Sequence, residues 1–263
     1  MKNRKAYAVI TGASSGIGAA FAPLLAKEGY SLILAARRKD KLEEIKKRVE
    51  PYLHQDAICI VHPMDVTDPK ACDRLMDMIW DVNVGIFINN AGFGDCGEFR
   101  DTDVAKEMDM IDVNVMALHY LTKRVLNKFR RQKMGYLLNV GSVAGLMPAG
   151  PYMATYYATK AYVVSLTRAI RKELEDQKSR IYVGCLCPGP VDTEFNQVAN
   201  AEFAMPAISA ESCARYAVQK MKQRQSIIIP SLTVRLLCAV AYVVPVPILI
   251  HYISRVQLNK KLK

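Results

Sequence analysis

Apolar positions along the chain follow two rhythms. Short, β-rich runs predict strands at Ala6–Thr11, Ser31–Ala36, Ala57–Val61, Val84–Asn89, Tyr136–Gly141, Ile181–Leu186 and Ser226–Ile229. Between these runs, amphipathic spacing predicts helices over Gly18–Glu28, Lys39–Val49, Pro69–Trp80, Val104–Arg131, Tyr152–Asp176 and Ala210–Lys222. Runs such as GIFIN (85–89) have almost no polar position, so both strand faces are expected to be buried, as in a parallel sheet with helices on each side. Strand–helix alternation of this kind predicts a doubly wound α/β fold with a seven-stranded parallel sheet. No repeat or flexible linker interrupts it. Residues 1–230 therefore read as one domain, with 231–263 as a hydrophobic, basic tail.

Composition fits this picture: 263 residues, 51% of them hydrophobic, suffice for one α/β domain with a large core. Met1–Lys5 is basic, but the apolar stretch after it is only about seven residues long and runs into glycines, so no secretory leader is expected. The seven cysteines (59, 72, 96, 185, 187, 213, 238) are scattered, and only Cys185 and Cys187 share a strand face. They read as reduced, cytoplasmic thiols buried as small hydrophobes. The four histidines lack metal-ligand spacing, and no metal is expected. The net charge of +11 is concentrated: Ser212–Lys263 holds nine Lys or Arg and no acid.

The first strand hands over to its helix through TGASSGIG, residues 11–18. Glycines here allow a tight turn, a close approach of pyrophosphate to the backbone, and close helix–strand packing, while the helix N-terminus favours the phosphate. The spacing Gly12, Gly16, Gly18 is wider than in the commoner dinucleotide fingerprint. With Thr11 it resembles the TGxxxGxG motif of the short-chain dehydrogenase/reductase family, a resemblance that covers roughly residues 5–230 and implies a Rossmann fold. Ser14, Ser15 and Ile17, in the same turn, are counted with the glycines as cofactor-binding. After the second strand comes LAARRK, with no acid between Glu28 and Asp40 to hold a ribose diol. Arg37 and Arg38 offer fixed charge and bidentate donors for a 2′-phosphate instead, so the expected cofactor is NADP(H). The resemblance further places Asp65 and Val66 at the adenine. It also sets Asn89 to Gly92 (NNAG) along the cofactor groove, and Val191 and Thr193 at the nicotinamide carboxamide.

Reduction of a carbonyl needs a proton donor beside the oxygen, and a tyrosine can serve when a cation stands near it. In YYATK, Tyr156 and Lys160 are four apart, on one helix face. Ser142 lies fourteen residues before Tyr156, at the end of a strand in NVGSVAG. The resemblance implies that Tyr156 donates the proton, Ser142 orients the carbonyl and Lys160 holds the ribose and lowers the tyrosine pKa. Asn114, in DVNVMAL, would complete a water-mediated relay. Tyr157 and Tyr152 read as packing. The family's variable substrate lid would span 194–208, here with Phe195, Phe203, Met205 and Pro206, which suits an apolar substrate.

The tail holds nineteen uncharged residues, Leu236–Ser254, broken by Pro245 and Pro247. Two short helices covering the pocket are expected. A basic interfacial segment at a membrane surface is the rival arrangement, and a spanning anchor the third. The sequence and its resemblance point to a cytoplasmic, NADP(H)-dependent oxidoreductase of a hydrophobic ketone, steroid- or bile-acid-like as in hydroxysteroid dehydrogenases, with membrane association through the tail as the rival to a freely cytoplasmic protein. The alternatives are a 3-oxoacyl thioester reductase or a non-catalytic NADPH-binding module. No motif supports a nucleic-acid partner despite the pI of 9.3. The resemblance also implies a homodimer or homotetramer.

Overall fold

In the computed structural model, which describes residues 6–199 and 207–261, the alternation builds a seven-stranded, wholly parallel sheet. Its strands are β1 (Tyr7–Thr11), β2 (Ser31–Ala36), β3 (Cys59–Pro63), β4 (Val84–Asn89), β5 (Gly135–Val140), β6 (Ile181–Leu186) and, at the far edge, β9 (Ile227–Ile228). A separate two-residue pair, β7 (Val191–Asp192) and β8 (Ile208–Ser209), is too short for apolar spacing to predict. The helices are α1 (Gly16–Lys27), α2 (Lys39–Val49), α3 (Pro69–Ile79), α4 (Val104–Ile111), α5 (Leu118–Gln132), α6 (Ala154–Asp176), α7 (Phe195–Val198), α8 (Ala210–Lys222), α9 (Leu232–Ala241) and α10 (Val246–Lys261). Phe203, Met205 and Pro206 lie outside the described residues.

Period-two alternation divides the core. Ala8 and Ile10, Leu32 and Leu34, and Ile86 and Ile88 face α1, α2 and α8, while Val9, Ile33 and Phe87 between them face α3 and α5. The sheet order β3-β2-β1-β4-β5-β6-β9 reverses between β1 and β4, so the carboxyl ends of these two strands diverge and leave a crevice.

Helix starts follow local chemistry. Asp68 accepts from the Lys70 N–H (2.9 Å) with Pro69 at the first helical position of α3, and Asp103 and Ser209 cap α4 and α8 in the same manner.

The helix predicted over Val104–Arg131 is present from Val104 to Gln132 but is not α-helical throughout. A π-helical turn, Asp112–Ala117, separates α4 from α5. Its cause is Asn114, whose fully buried amide turns inward to bond the backbone of Phe93, so the turn widens around it. The tail forms α9 and α10, broken at Pro245. Among the described residues no helix is long and apolar enough to cross a membrane.

Candidate active site

At the crevice, Thr11 and Asn90 stitch β1 to β4. Thr11 Oγ1 accepts from the N–H groups of Asn90 (3.0 Å) and Ala91 (3.2 Å), and Asn90 Nδ2 donates to the Thr11 and Gly12 carbonyls. Gly12 and Gly16 sit at φ of +64° and +54°. The positive φ favours glycine at both positions, and a Cβ on Gly12 would also stand 2.8 Å from Asn90 Nδ2. The chain then enters α1, whose N-cap Ser15 makes no side-chain cap, leaving the first N–H groups without that partner at the edge of a cavity of about 780 Å³.

Gly12, Ser14, Ser15, Gly16 and Ile17 line that cavity, followed by Arg37 and Arg38 after β2 and Asp65 and Val66 after β3. Val191 and Thr193 close its other side, with Thr193 packed over Gly16. Two of the expected cofactor residues stand elsewhere. Asn89 is buried behind the cavity wall, its amide spent on the Leu118 carbonyl (3.0 Å) and Thr122 Oγ1 (3.3 Å), and Asn90, Ala91 and Gly92 line the groove in its place. Gly18 also lies behind the wall. Its Cα packs so closely on the Gly12 carbonyl that a Cβ would fall 2.3 Å from the oxygen, so it serves helix–strand packing.

Arg38 carries a feature the sequence does not show. Its Nη2 pairs with Glu194 Oε2 at 2.9 Å and reaches Ser14 Oγ at 3.3 Å. The end of β2 is thereby tied to the segment after β7. That segment is held again at α7, where Lys106, paired with Asp95, donates to the Val198 carbonyl.

At the opposite end of the cavity, β5 delivers Ser142 and α6 delivers Tyr156 and Lys160. Ser142 accepts from the Ala144 N–H (3.1 Å) and is hydrogen-bonded to the Tyr156 phenol. Lys160 Nζ donates to the Val140 carbonyl (3.1 Å) and lies 5.8 Å from the centre of the Tyr156 ring. Gly145 lets the turn after Ser142 press onto α6, since a Cβ there would lie 2.2 Å from the Lys160 carbonyl oxygen.

Burial raises the Tyr156 pKa, opposed by the Ser142 hydrogen bond, and burial lowers Lys160 to about 8. The phenol therefore keeps its proton at neutral pH, and the lowering of the tyrosine pKa that the resemblance implies is not found.

Asn114 does not line the cavity. It is fixed by Phe93 and by Thr159 Oγ1 (3.1 Å), and Thr159 donates in turn to the Tyr156 carbonyl. Gly92 lies between Asn114 and Lys160, where a Cβ would stand 2.8 Å from Asn114 Oδ1 and 3.2 Å from Lys160 Nζ. The absent side chain keeps a gap open between them.

Around the phenol stand Phe93, Ala144, Met153 and Phe195. The remaining wall is formed by Tyr252, Ile253, Val256 and Gln257 of α10. Gln257 Nε2 donates to the Tyr157 hydroxyl (2.8 Å), which makes Tyr157 part of that wall. Reading the sequence missed Gln257 because the uncharged window ends at Ser254. Thr159 and Glu194 carried no signal beyond their proximity to the YxxxK and PG motifs. Among the described residues no cluster suits a metal ion.

A parallel sheet with a glycine turn at its switch point, opening on a Ser–Tyr–Lys group, defines a dinucleotide-dependent oxidoreductase. The sequence matches the model of the short chain dehydrogenase family over residues 6–203, and the protein belongs to that family. It is therefore an oxidoreductase that acts on alcohols and ketones with a nicotinamide cofactor. It is 37% identical over 195 residues, 73% of this chain and 81% of the other, to an uncharacterized oxidoreductase of Staphylococcus aureus. Among solved structures it resembles a short-chain dehydrogenase from Sphingobium yanoikuyae in complex with NADPH (TM-score 0.78, 30% identity, 86% and 88% of the two chains). It also resembles a bulky-bulky ketone specific alcohol dehydrogenase from Comamonas testosteroni (TM-score 0.75, 28% identity, 88% of each chain).

Proposed function

We propose that the protein is an NADP(H)-dependent oxidoreductase that interconverts bulky, apolar ketones, of steroid or bile-acid size, with their secondary alcohols. The observation that carries this reading is the buried phenol of Tyr156, hydrogen-bonded to Ser142 and set beside the Lys160 ammonium, at the end of a cavity with apolar walls. The NADPH complex of the Sphingobium relative and the bulky-ketone preference of the Comamonas enzyme point the same way.

The residues present fit a dinucleotide. The uncapped N-terminus of α1 would receive the pyrophosphate, Arg37 and Arg38 a 2′-phosphate, Asp65 and Val66 the adenine, and Val191 and Thr193 the carboxamide. When bound, the cofactor supplies or accepts the hydride. In reduction, Ser142 Oγ orients the carbonyl oxygen. Tyr156, kept protonated by burial, gives its proton to that oxygen as negative charge develops on it. The Lys160 ammonium offsets the charge left on the phenolate, and the gap at Gly92 is where water would link Lys160 to Asn114.

The test is NADPH oxidation followed by absorbance against keto-steroids, keto bile acids, a 3-oxoacyl thioester and simple ketones, with NADH in parallel. Turnover of the bulky ketones with NADPH is expected, and Tyr156→Phe should lower it about a thousandfold while NADPH still binds. Undiminished turnover in that variant, or preference for NADH, would overturn the proposal.

A further inference from the structure

The tail presents two faces with different chemistry. On α9, Val234 and Cys238 pack inward on Val163 and Val164, while Leu232, Leu236 and Val240, each four residues apart, share the opposite face and are more than half exposed. The apolar surface continues through Tyr242, Val243 (81% exposed) and Val246 to Ile248 and Tyr252 on α10. Half of the large exposed apolar side chains among the described residues lie between Leu232 and Leu258. A surface of this kind concentrated on one segment marks an interaction site.

Charge says what covers it. No acid occurs from Ser212 to Lys263, and the apolar face is bordered by Arg168, which donates to the Tyr242 hydroxyl, and by the exposed Arg255. Lys260, Lys261 and Lys263 follow in sequence. Apolar residues interleaved with tyrosines and edged by cations suit the boundary between acyl chains and anionic headgroups, where tyrosine rings favour the interface and each cation near the surface strengthens attachment. A self-pairing interface would place these like charges against one another.

We propose that the α9–α10 segment docks the protein onto an anionic lipid surface. It lies in the interface without crossing it, since α9 spans Leu232–Ala241 and α10 is interrupted from it at Pro245. The same α10 that meets lipid through Ile248 lines the cavity through Ile253, Val256 and Gln257, and the exposed Tyr252, also part of that wall, stands where the two faces meet. Docking thus brings the substrate cavity against the bilayer, where an apolar ketone partitions. This last step rests on the reductase reading, whereas docking itself does not.

The experiment is co-sedimentation of the full chain with vesicles of phosphatidylcholine alone or mixed with phosphatidylglycerol, for the wild type and for Leu236→Glu with Val243→Glu, two positions outside the cavity. Wild-type protein is expected to bind the mixed vesicles at least about tenfold more tightly than neutral ones, with salt reversing this, and the double variant to lose at least about tenfold. Turnover of a small, water-soluble ketone without vesicles reports on the reductase reading and should be the same in both proteins. Equal binding by wild type and variant, or no binding to either vesicle, overturns the proposal. So does a wild-type dimer that the variant converts to monomer without a change in vesicle binding, because a second copy would then be what covers the face.

Discussion

Lys160 is expected to weaken the fold in which it works. Its ammonium is buried and its pKa lowered to about 8 from the ordinary 10.5, while in the unfolded chain it titrates normally. At about 1.4 kcal/mol per unit, holding the charge inside at pH 7 costs about 3 kcal/mol. The sign follows from the proton balance. Between the two pKa values the unfolded chain binds the proton and the folded one does not, so stability rises with pH through that window and is lowest below it. Lys160→Met removes the charge but strips the Val140 carbonyl of its donor, which returns about 1 kcal/mol of that gain.

The variant should therefore be more stable at pH 7 by about 2 kcal/mol, or about 4–8 °C in Tm for a chain of this size. At pH 9.5 the wild type has recovered about 2 kcal/mol and the difference should vanish. Thermal unfolding of both proteins without cofactor, at the two pH values, measures this. A variant less stable than wild type at pH 7, or a difference that does not change with pH, would refute the reasoning. Ketone turnover by the variant should fall in the same preparation, since the cation beside Tyr156 is gone.

Two other perturbations test the site. Glu194→Gln frees Arg38 from its 2.9 Å partner, and the KM for NADPH should drop a few-fold with that for NADH unchanged; equal effects on both would mean that Arg38 does not meet the 2′-phosphate. Asn114→Ala leaves the Phe93 N–H and carbonyl, which face the π-helical turn from the segment after β4, without their partner and should cost about 3 kcal/mol in urea unfolding, whereas a loss below about 1 kcal/mol would show that water replaces the amide.

The sheet was legible because its strands are apolar on both faces and its helices on one. Legibility failed where a side chain, not a period, sets the backbone. The helix over Val104–Arg131 reads as continuous by apolar spacing, and only the demand of Phe93, twenty-one residues before Asn114, opens it into a π turn. The motif residues Tyr156, Lys160 and Ser142 do line one cavity, because α6 carries the first two on one face and the turn after β5 presents the third. It misassigned Asn89 because adjacent residues at a strand end point to opposite sides, and a motif does not state which side faces the groove. Glu194 and Gln257 act across 156 and 100 residues of sequence, on Arg38 and Tyr157, and no local pattern encodes such pairs.

The site is divided along the chain in a way that bears on its inheritance. The glycine turn, Ser142, Tyr156 and Lys160 all lie within the residues 6–203 that match the family, while the wall built by Tyr252, Ile253, Val256 and Gln257 lies beyond them. One part of the cavity wall is thus written in a length of polypeptide separate from the family motifs, while Phe93, Met153 and Phe195 supply the rest from within the matched residues. On the proposed function, exchange of α10 would alter what is accepted more than how it is reduced. Relatives chosen for a similar tail should accordingly be better guides to the substrate than relatives chosen for similarity over the sheet.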